Sequence, residues 1–266
     1  MKFGFIGAGN MGGALARAAA LAMDASAITL ADQCAEKAEA LAASLKCNTA
    51  TTEQVARDCQ YIFLGVKPQV MGVMLSQIAP MLRSRQDSFV LVSMAAGIAM
   101  ADIRRMAGGD YPVIRIMPNM PVSAGAGMIL FDTTENVSEG AIEIFLRSMA
   151  FAGRLDRLPE KLIDAGSALS GCGPAFVSLF VEALADGAVA CGLPRQQALQ
   201  YAAQTVAGTA KMLAESGQHP AALKDAVCSP GGSTIAGVAA MEQGGFRAAT
   251  MEAVISAFDR TLELGK

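Results

Sequence analysis

The segment Lys224–Thr234 reads Lys-Asp-Ala-Val-Cys-Ser-Pro-Gly-Gly-Ser-Thr. Pro230 and the Gly231-Gly232 pair stop one apolar helical segment, and Ser233 and Thr234 open the next. The peptide N–H groups of Gly232, Ser233 and Thr234 then lie at a fresh helix N-terminus, where small anions, carboxylates first among them, are attracted. Alone, the segment is better read as a simple helix–helix turn.

A second stretch changes that balance. Phe3-Gly-Phe-Ile6 is followed at once by Gly7-Ala8-Gly9-Asn10-Met11-Gly12. A G-x-G-x-x-G that follows a strand, opens a helix and begins a βαβ unit is a dinucleotide loop. Gly7 permits the tight turn, Gly9 lets the backbone approach a pyrophosphate, and Gly12 allows close helix–strand packing. The second strand ends at Ala31-Asp32. An acid about 20 residues beyond the glycines grips the ribose 2′-hydroxyl of NAD and repels the 2′-phosphate of NADP, and Lys37 and Lys46 lie near enough to moderate that repulsion. Asp32 can equally cap the following helix, and Thr52 is either a helix cap or an adenosine-side contact.

Three more strand ends point to one crevice: Gly65-Val66-Lys67-Pro68, Met94-Ala95-Ala96-Gly97 and Met117-Pro-Asn119-Met-Pro121. In open α/β sheets, ligands bind outside the carboxyl ends of the strands. Ala95, Ala96 and Gly97 leave room for a flat ring. Lys67 can reach a ribose or phosphate, and Asn119, on a loop stiffened by two prolines, can bond a carboxamide.

The elements that must position these groups alternate in kind. Strand patterns cover Lys2–Ile6, Ala27–Ala31, Tyr61–Val66, Ser88–Ser93, Tyr111–Ile116 and Gly127–Phe131. Helical patterns lie between them at Met11–Met23, Cys34–Leu45, Gln69–Met81, Met100–Ala107 and Val137–Ala150. Nearly continuous apolar strands in a βαβα rhythm indicate a parallel sheet buried by helices. After about residue 157 strand patterns cease. Pro174–Cys191, Pro194–Ser216, Pro220–Val227, Ser233–Gln243 and Phe246–Leu264 read as helices, with prolines near their starts. The expected architecture is a Rossmann-like doubly wound parallel sheet over residues 1–157, followed by an all-α domain over 158–266. These helices are rich in Ala, Gly and Leu, carry little charge between Gly187 and Leu193 and ask to bury more than one face, so an intertwined dimer is expected.

Composition closes off other classes. Of 266 residues, 53% are hydrophobic and 17% charged, enough for a sizeable core. Trp is absent, aromatics are 5% and the net charge is −3, which leaves little for a nucleic-acid partner. His219 is the only histidine, and the six cysteines form no C-x-x-C, so a zinc site or a His-based triad is not expected. Scattered cysteines suit reduced thiols in a cytoplasm. Charges or prolines interrupt every apolar run before the length a bilayer needs, so no transmembrane helix is expected.

In this order the pieces resemble the Δ1-pyrroline-5-carboxylate reductase family, which performs the last step of proline biosynthesis. The resemblance covers the whole chain. It rests on the Gly7–Gly12 loop, Val66-Lys-Pro68, Arg115-Ile-Met-Pro-Asn-Met-Pro121, Leu169-Ser-Gly-Cys-Gly-Pro-Ala-Phe176, Ala185-Asp-Gly187, Gly192-Leu-Pro-Arg195 and, above all, Lys224–Thr234. It implies a homodimer, or a larger oligomer built from dimers, in which NADPH or NADH reduces the cyclic imine 1-pyrroline-5-carboxylate to L-proline. It further implies that the amides near Gly232, Ser233 and Thr234 hold the substrate carboxylate against a partner's nucleotide domain. The Thr234 hydroxyl would bond the ring nitrogen, and Glu160 would line the pocket. Asp32 departs from the family pattern, where Ser, Asn or Arg is common, and argues for NADH tolerance.

Reducing a C=N bond needs hydride at carbon and a proton at nitrogen, and an iminium can take its proton from water. The protein has chiefly to align two reactants, so the lack of a catalytic His is no objection. Thr234 is a positioner, since its hydroxyl is far from titrating. Two rival readings fit the residues less well. A β-hydroxyacid dehydrogenase would carry a catalytic Lys on its first long C-terminal helix, yet no Lys occurs between Lys161 and Lys211. A non-catalytic dinucleotide sensor would leave the 229–234 loop without a task.

Overall fold

The structure is a computed structural model and describes residues 1–264. Contacts group the chain into two units, one of residues 1–172 with the chain's end from Ala257, the other Gly173–Ser256.

The first unit is an eight-stranded sheet in the order β3-β2-β1-β4-β5-β6-β7-β8. Its strands are β1 (Phe3–Ile6), β2 (Ile28–Ala31), β3 (Asn48–Thr49), β4 (Tyr61–Leu64), β5 (Val90–Ser93), β6 (Val113–Met117), β7 (Gly127–Thr133) and β8 (Gly153–Arg157). The helices between them are α1 (Asn10–Ala22), α2 (Ala35–Leu45), α3 (Thr52–Asp58), α4 (Pro68–Ser84), α5 (Met100–Ala107) and α6 (Glu139–Ser148), with α7 (Glu160–Ser170) after β8. β1, β4, β5 and β6 are buried at every position, which is why they read as nearly continuous apolar runs.

Alternate residues of a strand feed opposite faces. Tyr61 and Phe63 of β4 join one core, and Ile62 and Leu64 join the other. Register places Phe3 beside Tyr61 and Phe5 beside Phe63. Their rings stack with centroids 4.5 and 4.3 Å apart, an aromatic ladder that pins β1 to β4.

The sheet is parallel from β3 through β6, then β7 turns back antiparallel to β6 and β8 runs parallel to β7. The Pro118–Ala126 connection holds only a short 3₁₀ turn. A parallel crossover needs about a dozen residues or more, so this link forces reversal. The parallel expectation therefore holds for the six strands from β3 to β6, and β7 and β8 run the other way.

The second unit contains α8 (Gly173–Ala190), α9 (Arg195–Ser216), α10 (Pro220–Ala226), α11 (Ser233–Gln243) and most of α12 (Phe246–Leu264). α8 and α9 pack on a small core of Ala185, Ala198 and Ala202. Large apolar side chains stay outside it: Val177 is 48% exposed and Leu179 68%. The break in packing lies after Cys172, whereas the strand pattern ends near 157. The difference is α7, whose Ile163 is fully buried with Met117 and Leu130 of the sheet. Glu160–Ala190 is long and apolar enough by length and composition to cross a bilayer, with little of it buried inside the chain. The sequence expectation of no such stretch is corrected on that count; Asp164 and Pro174 interrupt the run without breaking its average character.

Candidate active site

The glycine loop joins β1 to α1 at the carboxyl edge of the sheet. Ala31 accepts the Gly7 N–H at 2.7 Å, and Ile6 accepts the Gly65 N–H at 2.7 Å, so β2 and β4 clamp the loop from both sides. Gly7 has φ +106°, and a Cβ there would stand 2.5 Å from the Gly65 carbonyl oxygen. Gly12 abuts the Gly7 carbonyl, where any side chain would collide. Gly9 is different. Its φ of −70° suits any residue, and a Cβ on it would meet nothing within 4 Å. Neither backbone strain nor crowding among the described residues demands glycine at position 9, where it serves as an ordinary N-cap. The start of α1, whose N-cap Gly9 offers no side chain, leaves free N–H groups of the kind that suit a phosphate. Ala8 and Met11 are half-buried, and Asn10 is exposed at the start of α1.

Asp32 follows β2 and is tied to this loop. Its Oδ2 accepts the Ala8 N–H at 2.7 Å, and its Oδ1 accepts the Cys34 N–H at 2.9 Å. The acid thus braces both the glycine turn and the entry to α2. Thr52 is not the cap of α3. Thr51 is: its hydroxyl accepts the Gln54 N–H, and the Gln54 side chain answers to the Thr51 N–H in a capping box. Thr52 is half-buried one residue on, its hydroxyl making no hydrogen bond among the described residues.

The other strand ends meet the same edge. Lys67 is the exposed N-cap residue of α4, with Pro68 at its first position and Gly65 and Val66 half-buried before it. Beyond β5, Ala95 is buried, Ala96 exposed, and Gly97 turns the chain at φ +72°. Asn119 is almost wholly buried. Its Nδ2 donates to the Ser170 carbonyl at 2.9 Å, and its Oδ1 accepts the Met128 N–H at 2.9 Å. That amide fixes the β6–β7 turn against the end of α7.

Arg115, in sequence merely one residue of the 115–121 motif, is the centre of a buried charge network. Its side chain is 4% exposed. Nη2 donates to Asp164 Oδ1 at 2.8 Å, Nη1 donates to Glu160 Oε1 at 3.3 Å, and Nε is buried with no partner among the described residues. The same Glu160 oxygen accepts the Met100 N–H at 2.7 Å, while the Glu160 N–H donates to Asp132 Oδ2 at 2.7 Å. Glu160 is therefore the knot joining α5, β6, β7 and α7. An arginine inside an apolar strand is the signal that could have found it, because buried charge must be paired.

In the helical unit, Gly231 turns the 229–234 loop at φ +67°. The Gly232 N–H donates to the Ser229 carbonyl at 3.0 Å, so this amide is spent within the turn. The expected trio of amides shifts one residue onward: Ser233, Thr234 and Ile235 form the first turn of α11, where N–H groups lack an intrahelical acceptor. No side chain caps this end. Ser233 and Thr234 are exposed, and neither hydroxyl is engaged among the described residues. His219 caps α10 through Nδ1, which accepts the Ala221 N–H at 3.2 Å.

Residues 160–264 match the family model described as pyrroline-5-carboxylate reductase dimerisation. Residues 2–97 match one described as NADP oxidoreductase, coenzyme F420-dependent. The pyrroline-5-carboxylate reductase of Escherichia coli (strain K12) is 40% identical over 272 residues, spanning all of this chain and 98% of the relative. This chain belongs to the pyrroline-5-carboxylate reductase family. The Arabidopsis thaliana member is likewise 40% identical, over 270 residues and 96% of its length. Among solved members, the Plasmodium falciparum pyrroline carboxylate reductase with NADP bound has a TM-score of 0.87 at 31% identity, covering all of this chain and 98% of that one. The Coxiella burnetii member has a TM-score of 0.92 at 28% identity over the same shares. In this reductase family member, the dimerisation match begins at the residue that opens α7, so the Glu160 knot ties the start of the dimerisation segment to the sheet.

Proposed function

We propose that this chain reduces 1-pyrroline-5-carboxylate to L-proline, with NAD(P)H as the reductant. The observation that carries the reading is the opening of α11, where Ser233 and Thr234 keep both their hydroxyls and their first-turn N–H groups unspent. That is the donor set a small carboxylate beside a ring nitrogen calls for.

The residues fit the cofactor. Gly7, Ala8, Gly9, Asn10, Met11 and Gly12 would hold its pyrophosphate, with the clearance at Gly9 left for it. Asp32 and Thr52 would face the adenosine side, and Gly65, Val66, Lys67 and Pro68 the central phosphates and ribose. Ala95, Ala96 and Gly97 would give room to the flat ring, with Asn119 holding the loop beside them. When bound, the cofactor supplies the hydride. The protein's share is alignment and water exclusion. Gly232 shapes the turn, Ser233 and Thr234 bind the carboxylate, and the Thr234 hydroxyl bonds the ring nitrogen. Glu160 acts through position, because its carboxylate already holds the Met100 N–H and Arg115. No side chain of this set needs to titrate.

The same reading assigns residues 1–157 to dinucleotide binding and 158–266 to substrate binding and dimerisation. The working form is a homodimer, or a larger assembly of dimers, in the cytoplasm, without nucleic acid or membrane. Exposed Val177 and Leu179 on α8 are the apolar surface that a second copy would cover, which also accounts for the apolar Glu160–Ala190 stretch. The test is direct. Purified protein is given pyrroline-5-carboxylate with NADPH or NADH; cofactor oxidation with stoichiometric proline is expected. No oxidation above blank with either cofactor overturns the reading. A monomer in light scattering overturns the assembly.

A further inference from the structure

The geometry around Asp32 points beyond NAD(P)H in general to one of its two forms. This inference rests on the dinucleotide reading above. Asp32 is not a loose surface acid. With Oδ2 on the Ala8 N–H and Oδ1 on the Cys34 N–H, its carboxylate is fixed as part of the turn that would carry the pyrophosphate. A carboxylate offers about four acceptor positions, so two remain for a ribose.

The charged residues of α2, Glu36, Lys37 and Glu39, do not offset its charge. The first turn of α2 adds Glu36. From Asp32 to Leu45 the one cation is Lys37, exposed and in no ion pair among the described residues. Lys46 stands beyond the far end of α2, about 16 Å from its start at 1.5 Å per residue. Arg17, the nearest arginine in sequence, donates to Ser44 Oγ at 3.4 Å near that same end. No arginine fork of the kind that grips a phosphate stands next to Asp32 in the chain. A ribose 2′-hydroxyl can donate to the free acceptor positions of Asp32. A 2′-phosphate carries roughly −1.5 to −2 charge and would meet a fixed carboxylate with Glu36 behind it.

We infer that this chain prefers NADH over NADPH, and that Asp32 is the residue that decides it. Calorimetric titration of the full-length protein with NADH and with NADPH reads the preference without turnover. NADH is expected to bind at least about tenfold tighter, since each 1.4 kcal/mol is a factor of ten. Asp32→Ser and Asp32→Asn should both move the NADPH/NADH affinity ratio toward NADPH by about tenfold or more. Asp32→Asn keeps a carbonyl oxygen for the loop, and thermal melting of each variant tracks the loss of the Ala8 tether separately from the ratio. Wild-type protein that binds NADPH as tightly as NADH overturns the inference, as does an unchanged ratio in both variants. Binding of neither nucleotide overturns the dinucleotide site itself and this preference with it.

Discussion

Gly12 lies so close against the Gly7 carbonyl that a side chain on Gly12 would overlap that oxygen, while a side chain on Gly9 would meet nothing at all. Three glycines of one motif therefore serve two masters. Gly7 and Gly12 are required by the chain's own packing, and Gly9, in the function proposed above, by the pyrophosphate.

Two alanine variants separate these roles. Gly12→Ala forces the loop apart and should lower stability by about 2–3 kcal/mol, the scale of overpacking. Gly9→Ala, at an ordinary φ and in open space, should unfold within about 1 kcal/mol of the parent. It should nonetheless bind NADH and NADPH more than about tenfold more weakly. Urea unfolding and nucleotide titration check both. A Gly9→Ala protein of parental affinity would mean that the pyrophosphate does not approach there.

Thr234→Ala should lower kcat by about 10- to 100-fold, the worth of one hydrogen bond to a charged partner at about 1.5–3 kcal/mol. Nucleotide affinity should stay near parental. Thr234→Ser keeps the hydroxyl and should recover most of the turnover. Steady-state kinetics of the two variants decide it; equal losses in both would remove the hydroxyl from the reaction.

Much of this was legible in the chain itself, for identifiable reasons. β1, β4, β5 and β6 announce themselves because burial on both faces leaves few polar interruptions, Arg115 inside β6 and Ser93 at the end of β5. β8 was missed because Gly-Arg-Leu-Asp-Arg is the composition of a charged, partly exposed edge. β3 is only two residues long, and α3 is one short helix begun by Thr51. The reversal at β7 is written in loop length, not in residue type. Asn119 shows the limit for side chains. Its type and its prolines suggested a ligand contact, but Ser170 and Met128, which take up its amide, are chosen by the fold. Gly232 shows the same limit at the scale of one turn, its N–H going to Ser229.

The Arg115 network offers a stability test. Arg115→Met leaves Glu160 and Asp164 without their cation. Both carboxylates are about 30% exposed, so the loss should be near the lower end for a broken buried pair, about 3 kcal/mol. Adding Glu160→Gln and Asp164→Asn should restore part of it, because no unpaired charge then remains. Urea midpoints at constant slope measure both effects. A single Arg115→Met variant as stable as the parent would show that the guanidinium is not what secures α7.

The last prediction concerns acid. Arg85 clasps Asp87 through both ends of its guanidinium, with Nε to Oδ1 at 2.8 Å and Nη2 to Oδ2 at 2.6 Å. The pair holds the Asp87 carboxyl down to about 2. Arg85 is itself anchored, donating to the carbonyls of Ala56 and Cys59 and lying 4.5 Å over the Phe89 ring. A folded-state value below the unfolded one, which is near 4, stabilises the fold at neutral pH. That contribution declines as pH falls below about 4 and is gone once pH passes below about 2. Asp87 is 51% exposed, so solvent screening limits it to about 1 kcal/mol. Asp87→Asn should therefore be less stable than the parent by about that amount at pH 6, with the gap closing as pH approaches 2. Urea unfolding across that range measures the gap, and a constant gap would show that Asp87 does not titrate in contact with Arg85.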